Sequence, residues 1–159
     1  MKTLSQQLVS YAAYHKDPRN QLTHFIGVPL IVFSVFLILS QWSFGLSLSL
    51  LFASALAVYY VYLSIPLGLF VAVFLFLGDW IAESLAPSID ATKWGTILFI
   101  LGWVIQFIGH WFEGKRPALF DNILQVFNAP LFLGAEVLFR FGWGKEIRQE
   151  FETEKNNRV

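Results

Sequence analysis

Trp94-Gly-Thr-Ile-Leu-Phe-Ile-Leu-Gly-Trp-Val-Ile-Gln-Phe-Ile-Gly-His110-Trp-Phe-Glu113 is an apolar run to Ile108 that ends in chemistry. On a helix, Gln106, His110 and Glu113 stand at i, i+4 and i+7 and share one face. Two side chains able to bind metal and an amide at that spacing resemble part of a metal site. The other two histidines, His15 and His24, lie in one N-terminal stretch, His15-Lys-Asp-Pro-Arg-Asn-Gln-Leu-Thr-His24. The fold is therefore expected to bring these two stretches together at one membrane surface.

Outward from that run the chain is built of similar segments. Residues 22–39, 46–63 and 67–85 are apolar and of a length near the roughly 20 residues that cross a bilayer core. With 94–111 they predict four spans. Pro29 falls inside the first, where neighbouring helices can satisfy the carbonyl it frees. Pro18 breaks the chain ahead of that span, and Asn20 begins it. Ser64-Ile-Pro66 is a tight turn. Asp79 and Glu83 lie in the third span, where acidic groups are costly; their nearness to its end predicts that they reach interfacial water. Residues 4–14 read as an amphipathic helix lying on the headgroups, with Leu4, Leu8, Tyr11 and Ala12 on one face. After the fourth span, 118–128 is amphipathic, Asn128-Ala-Pro130 interrupts, and 131–141 is a second short apolar piece. Neither is long enough to cross, so they predict short helices at the membrane face or re-entering it. Residues 145–159 form a charged tail, frayed or helical in water.

Composition agrees with this reading. Hydrophobic residues make up 56% and charged residues 14% of the 159, against about 45–50% and about 25% in soluble domains. An all-α integral membrane protein of one domain follows: an interfacial helix and histidine loop (1–21), about four transmembrane helices (22–112), short or re-entrant helices (113–142) and the tail (143–159). With no cysteine, disulfides, iron–sulfur clusters and thiol catalysis are excluded. A net charge of zero without a basic stripe excludes nucleic acid as an expected partner. Four spans put Lys2, Lys16, Arg19, Lys115, Arg116 and the basic residues of the tail on one side and only Lys93 on the other, a positive-inside bias that makes the histidine end cytoplasmic.

Three neutral imidazoles can hold a divalent metal and leave positions open for substrate; zinc, iron and manganese fit such ligands alike. No Ser/His/Asp arrangement, phosphate loop or dinucleotide fingerprint is present. Two other classes of function suit the same residues. One is a non-catalytic lipid-binding or assembly protein, which would bind no iron. The other is a small transporter with Asp79 and Glu83 on its pathway, whose flux would vanish on substituting them.

The histidine pattern also resembles a known family. His15-x-x-Pro18-x-Asn20-x-x-x-His24-x-x-Gly27-x-Pro29, with Gln106-Phe-x-Gly-His110, Arg116-Pro-Ala-Leu and Ala129-Pro130-Leu-Phe downstream, is similar to the 2-hydroxy fatty acid dioxygenases, from about Leu8 to Phe139. The family turns phytosphingosine-derived acids into odd-numbered fatty acids. The resemblance implies Fe(2+) on His15, His24 and His110. It implies α-oxidation of a 2-hydroxy fatty acid by O2 to the acid one carbon shorter and CO2, with the lipid tail along the spans. Three histidines leave three positions on octahedral iron, enough for the acid's carboxylate and 2-hydroxyl and for O2. Glu113 is then a fourth ligand, a partner fixing a ligand imidazole, or a base for the 2-hydroxyl, with the partner role preferred. Gln106 and Asn20 are expected to hydrogen-bond substrate oxygen or a ligand, and Arg116 or Lys115 to steer the carboxylate. The expected location is the bacterial inner membrane, or the endoplasmic reticulum in a eukaryote.

Overall fold

The structure, a computed structural model, describes residues 3–117 and 126–156. Among the described residues there are seven α-helices: α1 (Leu4–Ala12), α2 (Pro18–Leu39), α3 (Leu48–Leu63), α4 (Ile65–Leu85), α5 (Ala91–Glu113), α6 (Asn128–Arg140) and α7 (Lys145–Asn156). The remaining regular structure is a 3-10 turn at Ala86–Ser88 and a two-residue antiparallel pair, Ser43–Phe44 with Leu46–Ser47. That pair turns at Gly45, whose φ of +86° requires a residue without a Cβ.

α2, α3, α4 and α5 run alternately up and down. Three stretches, Pro18–Leu39, Ile65–Ser88 and Ala91–Glu113, are long and apolar enough to cross a membrane. α3 is equally apolar but has 16 residues, a rise of ~24 Å against a hydrocarbon core of about 30 Å. The outward faces carry exposed Val58, Tyr62, Val73, Trp80, Ile100 and Trp111, a surface suited to lipid rather than to water.

α2 and α5 form the tightest antiparallel pair, and glycine is the reason. Gly95, Gly102 and Gly109 recur every seventh residue of α5, as Asn20, Gly27 and Ser34 do on α2. A Cβ at Gly95 would stand 3.0 Å from the Ser34 carbonyl oxygen, and one at Gly102 3.2 Å from that of Gly27. At Gly109 it would strike the Thr23 hydroxyl and stand 2.6 Å from Asn20 Oδ1. The three contacts keep one register, each step of seven matched in the opposite sense on the partner. A period of seven holds a seam facing its partner over many turns, and small residues let two membrane helices approach to backbone contact.

Several expectations are corrected by packing. Pro18 does not break the chain: it is at the start of α2, where its missing N–H is no loss, behind the N-cap Asp17. Asn128-Ala-Pro130 forms the first turn of α6, where the missing N–H of Pro130 is again no loss. α1 does not lie on headgroups with its apolar face: Leu4, Leu8, Val9 and Tyr11 are buried, and the helix packs against α6 and α7. The charged tail is helical over Lys145–Asn156, within the expectation, but it is docked and not free in water: Phe151 is buried and Glu150 accepts from the Ser5 hydroxyl at 3.1 Å. Asp79 does not reach interfacial water; it is 3% exposed, while Glu83 accepts from the Ser49 hydroxyl at 3.2 Å. The helix expected over 118–128 lies outside the described residues for all but its last three positions.

The seam predicts a contrast between two glycines. Alanine gains about 1 kcal/mol over glycine in a helix, whereas overpacking a close contact costs about 1–3 kcal/mol. At Gly102 the new methyl meets Ile31 Cγ1 at 2.6 Å and Gly27 O at 3.2 Å; at Gly78 it meets only the Phe36 ring at 3.5 Å. Gly102→Ala is therefore expected to lower the thermal unfolding midpoint in detergent and Gly78→Ala to leave it unchanged or raise it. Equal tolerance at both positions counts against the seam.

Candidate metal centre

α1 begins with a capping box of Thr3 and Gln6 and ends at Ala12, and the chain turns so that His15 N–H donates to the Ala12 carbonyl at 3.1 Å. His15 thus sits one helical turn beyond Tyr11. Its ring stacks on that of Tyr11 at 4.1 Å and 8°, and its Nδ1 donates to the Tyr11 carbonyl at 2.8 Å. Asp17 then caps α2 by accepting from the Arg19 N–H at 2.8 Å. His24 comes in the second turn of α2, its Nδ1 donating to the Asn20 carbonyl at 2.9 Å. His110 arrives from the last turn of α5. All three rings are buried, at 3%, 2% and 5% exposure.

These bonds decide the tautomers of two rings. A carbonyl oxygen only accepts, so His15 and His24 both carry their proton on Nδ1. Both Nε2 lone pairs then face each other, 3.0 Å apart. A proton between them would make one ring a buried cation. Burial first, and the neighbouring His24 second, oppose this at His15 and lower its pKa to about 3. The third ring completes the arrangement: its centroid is 5.1 Å from that of His15 and 5.0 Å from that of His24, and His110 Nδ1 is buried with no hydrogen-bond partner. One nitrogen from each histidine lies within 4.8 Å of the others. Two confronting lone pairs and an orphaned nitrogen are stable around a divalent cation and unstable without one. The 3.0 Å separation also suits two metal–nitrogen bonds of about 2.1 Å at a right angle. Among the described residues no carboxylate joins the cluster, so the ligand set is neutral and leaves coordination positions open.

Glu113 is aimed elsewhere. Its Oε1 accepts the Lys16 N–H at 3.0 Å; its Oε2 accepts the Asp17 N–H at 2.7 Å and the Asn20 side-chain amide at 3.2 Å. Gly114, with φ of +68°, ends α5 in the left-handed region. Lys115 then donates to the Ala13 carbonyl at 2.9 Å, closing over the end of α1 instead of waiting for a substrate. Asn20 donates also to the Tyr14 carbonyl at 3.0 Å, and Gln21 to the His15 carbonyl at 2.9 Å. The end of α5 and the start of α2 thus clasp the loop that presents His15.

Below the histidines a cavity opens between α2, α3 and α5. Its polar end holds Tyr11, Gln106 and the three histidines, and its walls are apolar, including Val28, Val32, Leu56 and Trp103. Gln106 is buried, lies beside His24 and packs on Gly27. Tyr11, Tyr60 and Trp103 were not anticipated as site residues. For Tyr11 a signal exists, an aromatic four residues ahead of a histidine on one helical face; for the other two none does, because apolar spans are full of aromatics. Asp79 stands fourteen residues along α4 from its first residue at the histidine end, ~21 Å of helix rise, and neither it nor Glu83 belongs to the cluster.

A family model described as "2-hydroxy-palmitic acid dioxygenase Mpo1-like" matches residues 1–141. The chain belongs to this family. A curated relative, the 2-hydroxy-palmitic acid dioxygenase MPO1 of Saccharomyces cerevisiae, is 36% identical over 154 residues, covering 94% of this chain and 87% of the relative. No solved structure matches the chain. The matched region of this Mpo1-like chain contains all three histidines, Glu113, and the glycine seam that sets α5 against α2.

The clasp predicts the behaviour of a nearly isosteric change. A glutamine at 113 has one acceptor oxygen and turns an NH2 toward a backbone N–H, donor against donor. Glu113→Gln is expected to weaken divalent-metal binding about 10–100-fold, the usual loss for a group behind the ligands. Each of His15→Ala, His24→Ala and His110→Ala abolishes stoichiometric binding. Calorimetric titration of the metal-free protein measures both, and undiminished affinity in Glu113→Gln removes the clasp from the account of the site.

Proposed function

We propose that this chain is an iron(II)-dependent dioxygenase that shortens 2-hydroxy fatty acids by one carbon. The observation that carries the reading is the buried triad of neutral imidazoles at the polar end of an apolar cavity running into the bundle. Membership of the Mpo1-like family supplies the reaction class. The balanced reaction is R–CH(OH)–COOH + O2 → R–COOH + CO2 + H2O. Oxidising the 2-hydroxy acid to the shorter acid and CO2 releases four electrons, the number O2 takes in reaching the level of water, so no second reductant is needed.

His15, His24 and His110 are the metal ligands. Bound iron(II) supplies the redox chemistry toward O2, which zinc cannot. The chain's other residues fix where things lie. Tyr11, its hydroxyl kept neutral because burial raises its pKa, backs the His15 ring. Gln106 orients His24 and offers its remaining hydrogen-bonding capacity to the oxygens of the acid. Asn20 and Glu113 are positioning residues: the Asn20 side-chain NH2 donates to the Tyr14 carbonyl and to Glu113, and Glu113 holds the N–H groups of Lys16 and Asp17. The apolar walls take the tail of the acid and keep bulk water from the reacting carbons.

We read the topology as four spans, α3 being the short one, with the histidine end in the cytoplasm and α6 and α7 on that same side. The host membrane is the bacterial inner membrane, or the endoplasmic reticulum in a eukaryotic cell. The bias of Lys and Arg between the two ends supports this orientation.

Two experiments follow. With iron(II), a long-chain 2-hydroxy acid and an oxygen electrode, the unaltered protein is expected to consume O2 and release the acid one carbon shorter. The acid lacking the 2-hydroxyl is inert, each single histidine-to-alanine variant loses nearly all turnover, and a double variant is little worse than a single, as for residues acting as a unit. Full turnover in His15→Ala or His24→Ala, or equal turnover of the plain acid, overturns the proposal. Separately, reporters fused at Met1 and after Val159 are both expected on the cytoplasmic side, and a reporter at Lys93 on the other; opposite sides for the two termini would replace four spans with an odd number.

A further inference from the structure

The cavity below the histidines has a measurable depth and a floor. α3 reaches the histidine end at its C-terminus, where the Tyr60 hydroxyl donates to the Phe127 carbonyl at 2.7 Å and the Tyr59 hydroxyl to Gln7 Oε1 at 3.2 Å. Leu56 and Phe52 follow Tyr60 one and two turns deeper on the same face, and all three line the cavity. On the opposing wall, α2 descends from His24 through Val28, Val32 and Val35. At the depth of Val35 the Phe52 ring meets the Phe36 ring edge to face, centroids 6.3 Å apart. Phe36 is 1% exposed and does not line this cavity; it stands between it and a second apolar cavity among α2, α4 and α6, so the Phe52 ring rests on the Phe36 ring.

The rise from His24 to Val35 is ~16 Å. One leaflet of a bilayer has a hydrocarbon thickness of roughly 15 Å, half of the whole core. The cavity therefore matches the extended length of one long acyl tail, with polar groups at one end only.

We propose that this cavity is a ruler for the acyl tail: the acid's head sits among the histidines, and Phe52, braced by Phe36, is the stop that sets the longest tail accepted. The proposal rests on the reading of the site as acting on 2-hydroxy acids, and it goes beyond it by assigning chain-length selection to Phe52 and Leu56. Tails that end above Phe52 are accommodated. A tail one or two carbons too long has to displace an aromatic pair or lift the head away from the metal centre.

The test is a series of straight-chain 2-hydroxy acids of increasing length, given to the iron-loaded protein with O2 uptake as the readout. In the unaltered protein kcat/KM is expected to rise with length and then fall by at least ~10-fold within one or two added carbons, the scale on which a hydrophobic pocket discriminates a methylene. Phe52→Ala moves that cutoff to longer acids and Leu56→Trp to shorter ones, with stoichiometric metal binding retained in both. Where Phe52→Ala does not retain metal, Phe52→Leu carries the same expectation with a smaller shift, and the cutoff of the unaltered protein needs no substitution. A profile without a cutoff, or a cutoff that stays in place in the metal-binding variants, overturns the ruler while leaving the dioxygenase reading intact. Failure of the unaltered protein to turn over any acid in the series overturns the dioxygenase reading instead.

Discussion

The close approach of α2 and α5 is the constraint on which the rest of the structure depends. Where a lipid tail is as apolar as a leucine, two helices gain little by burying hydrophobic surface against each other; they gain by fitting closely. Gly95, Gly102 and Gly109 provide that fit against Ser34, Gly27 and Asn20. The fixed register then dictates the chemistry. It stops α5 where His110 meets His24, sets Gln106 on Gly27, and leaves Glu113 level with the amides of Lys16 and Asp17. A slip of one turn along the seam would separate the histidines by more than 5 Å and leave the half-buried Glu113 carboxylate without its donors.

The centre is also economical in charge. A carboxylate ligand would lower the net charge of a loaded site, yet the carboxylate nearest the cluster is spent on backbone amides. The loop at 13–17 has no secondary structure of its own to hold it. Two acceptor contacts from Glu113 and a donor each from Lys115 and Asn20 fix it from outside. His15 is thereby held as firmly as a helical residue although it lies between helices. An all-imidazole ligand set would leave a bound divalent metal cationic beside the cavity, which suits the acid group of the proposed substrate.

How much of this the sequence discloses differs from element to element. The apolar runs give the long helices, and the distribution of Lys and Arg places His15, His24 and His110 at one end, where the structure joins them. Glu113 is recognisable as important from its place one turn after His110, but its true partners are peptide N–H groups at positions 16 and 17, and amides leave no mark in a sequence. The period-seven glycines are written plainly, yet glycine is common in membrane helices, and only the matching period on α2 gives them meaning. α1 looks like a headgroup helix because its amphipathic pattern says that one face is apolar and says nothing about what covers it. Pro18 and Pro130 look like breaks because proline ends helices as readily as it begins them; the residue before, a capping Asp17 in the first case, is what decides.

The clasp around His15 has a consequence for how the protein is made. His15 and His24 are synthesised early, while His110, Glu113 and Lys115 follow some ninety residues later. At ordinary elongation rates that is a delay on the order of 10 s. Throughout it the nascent chain has two imidazoles, no third ligand and an unfastened loop. A metal site built from these three histidines cannot close until α5 has been made, so a half-built chain would offer a passing ion no more than two imidazoles.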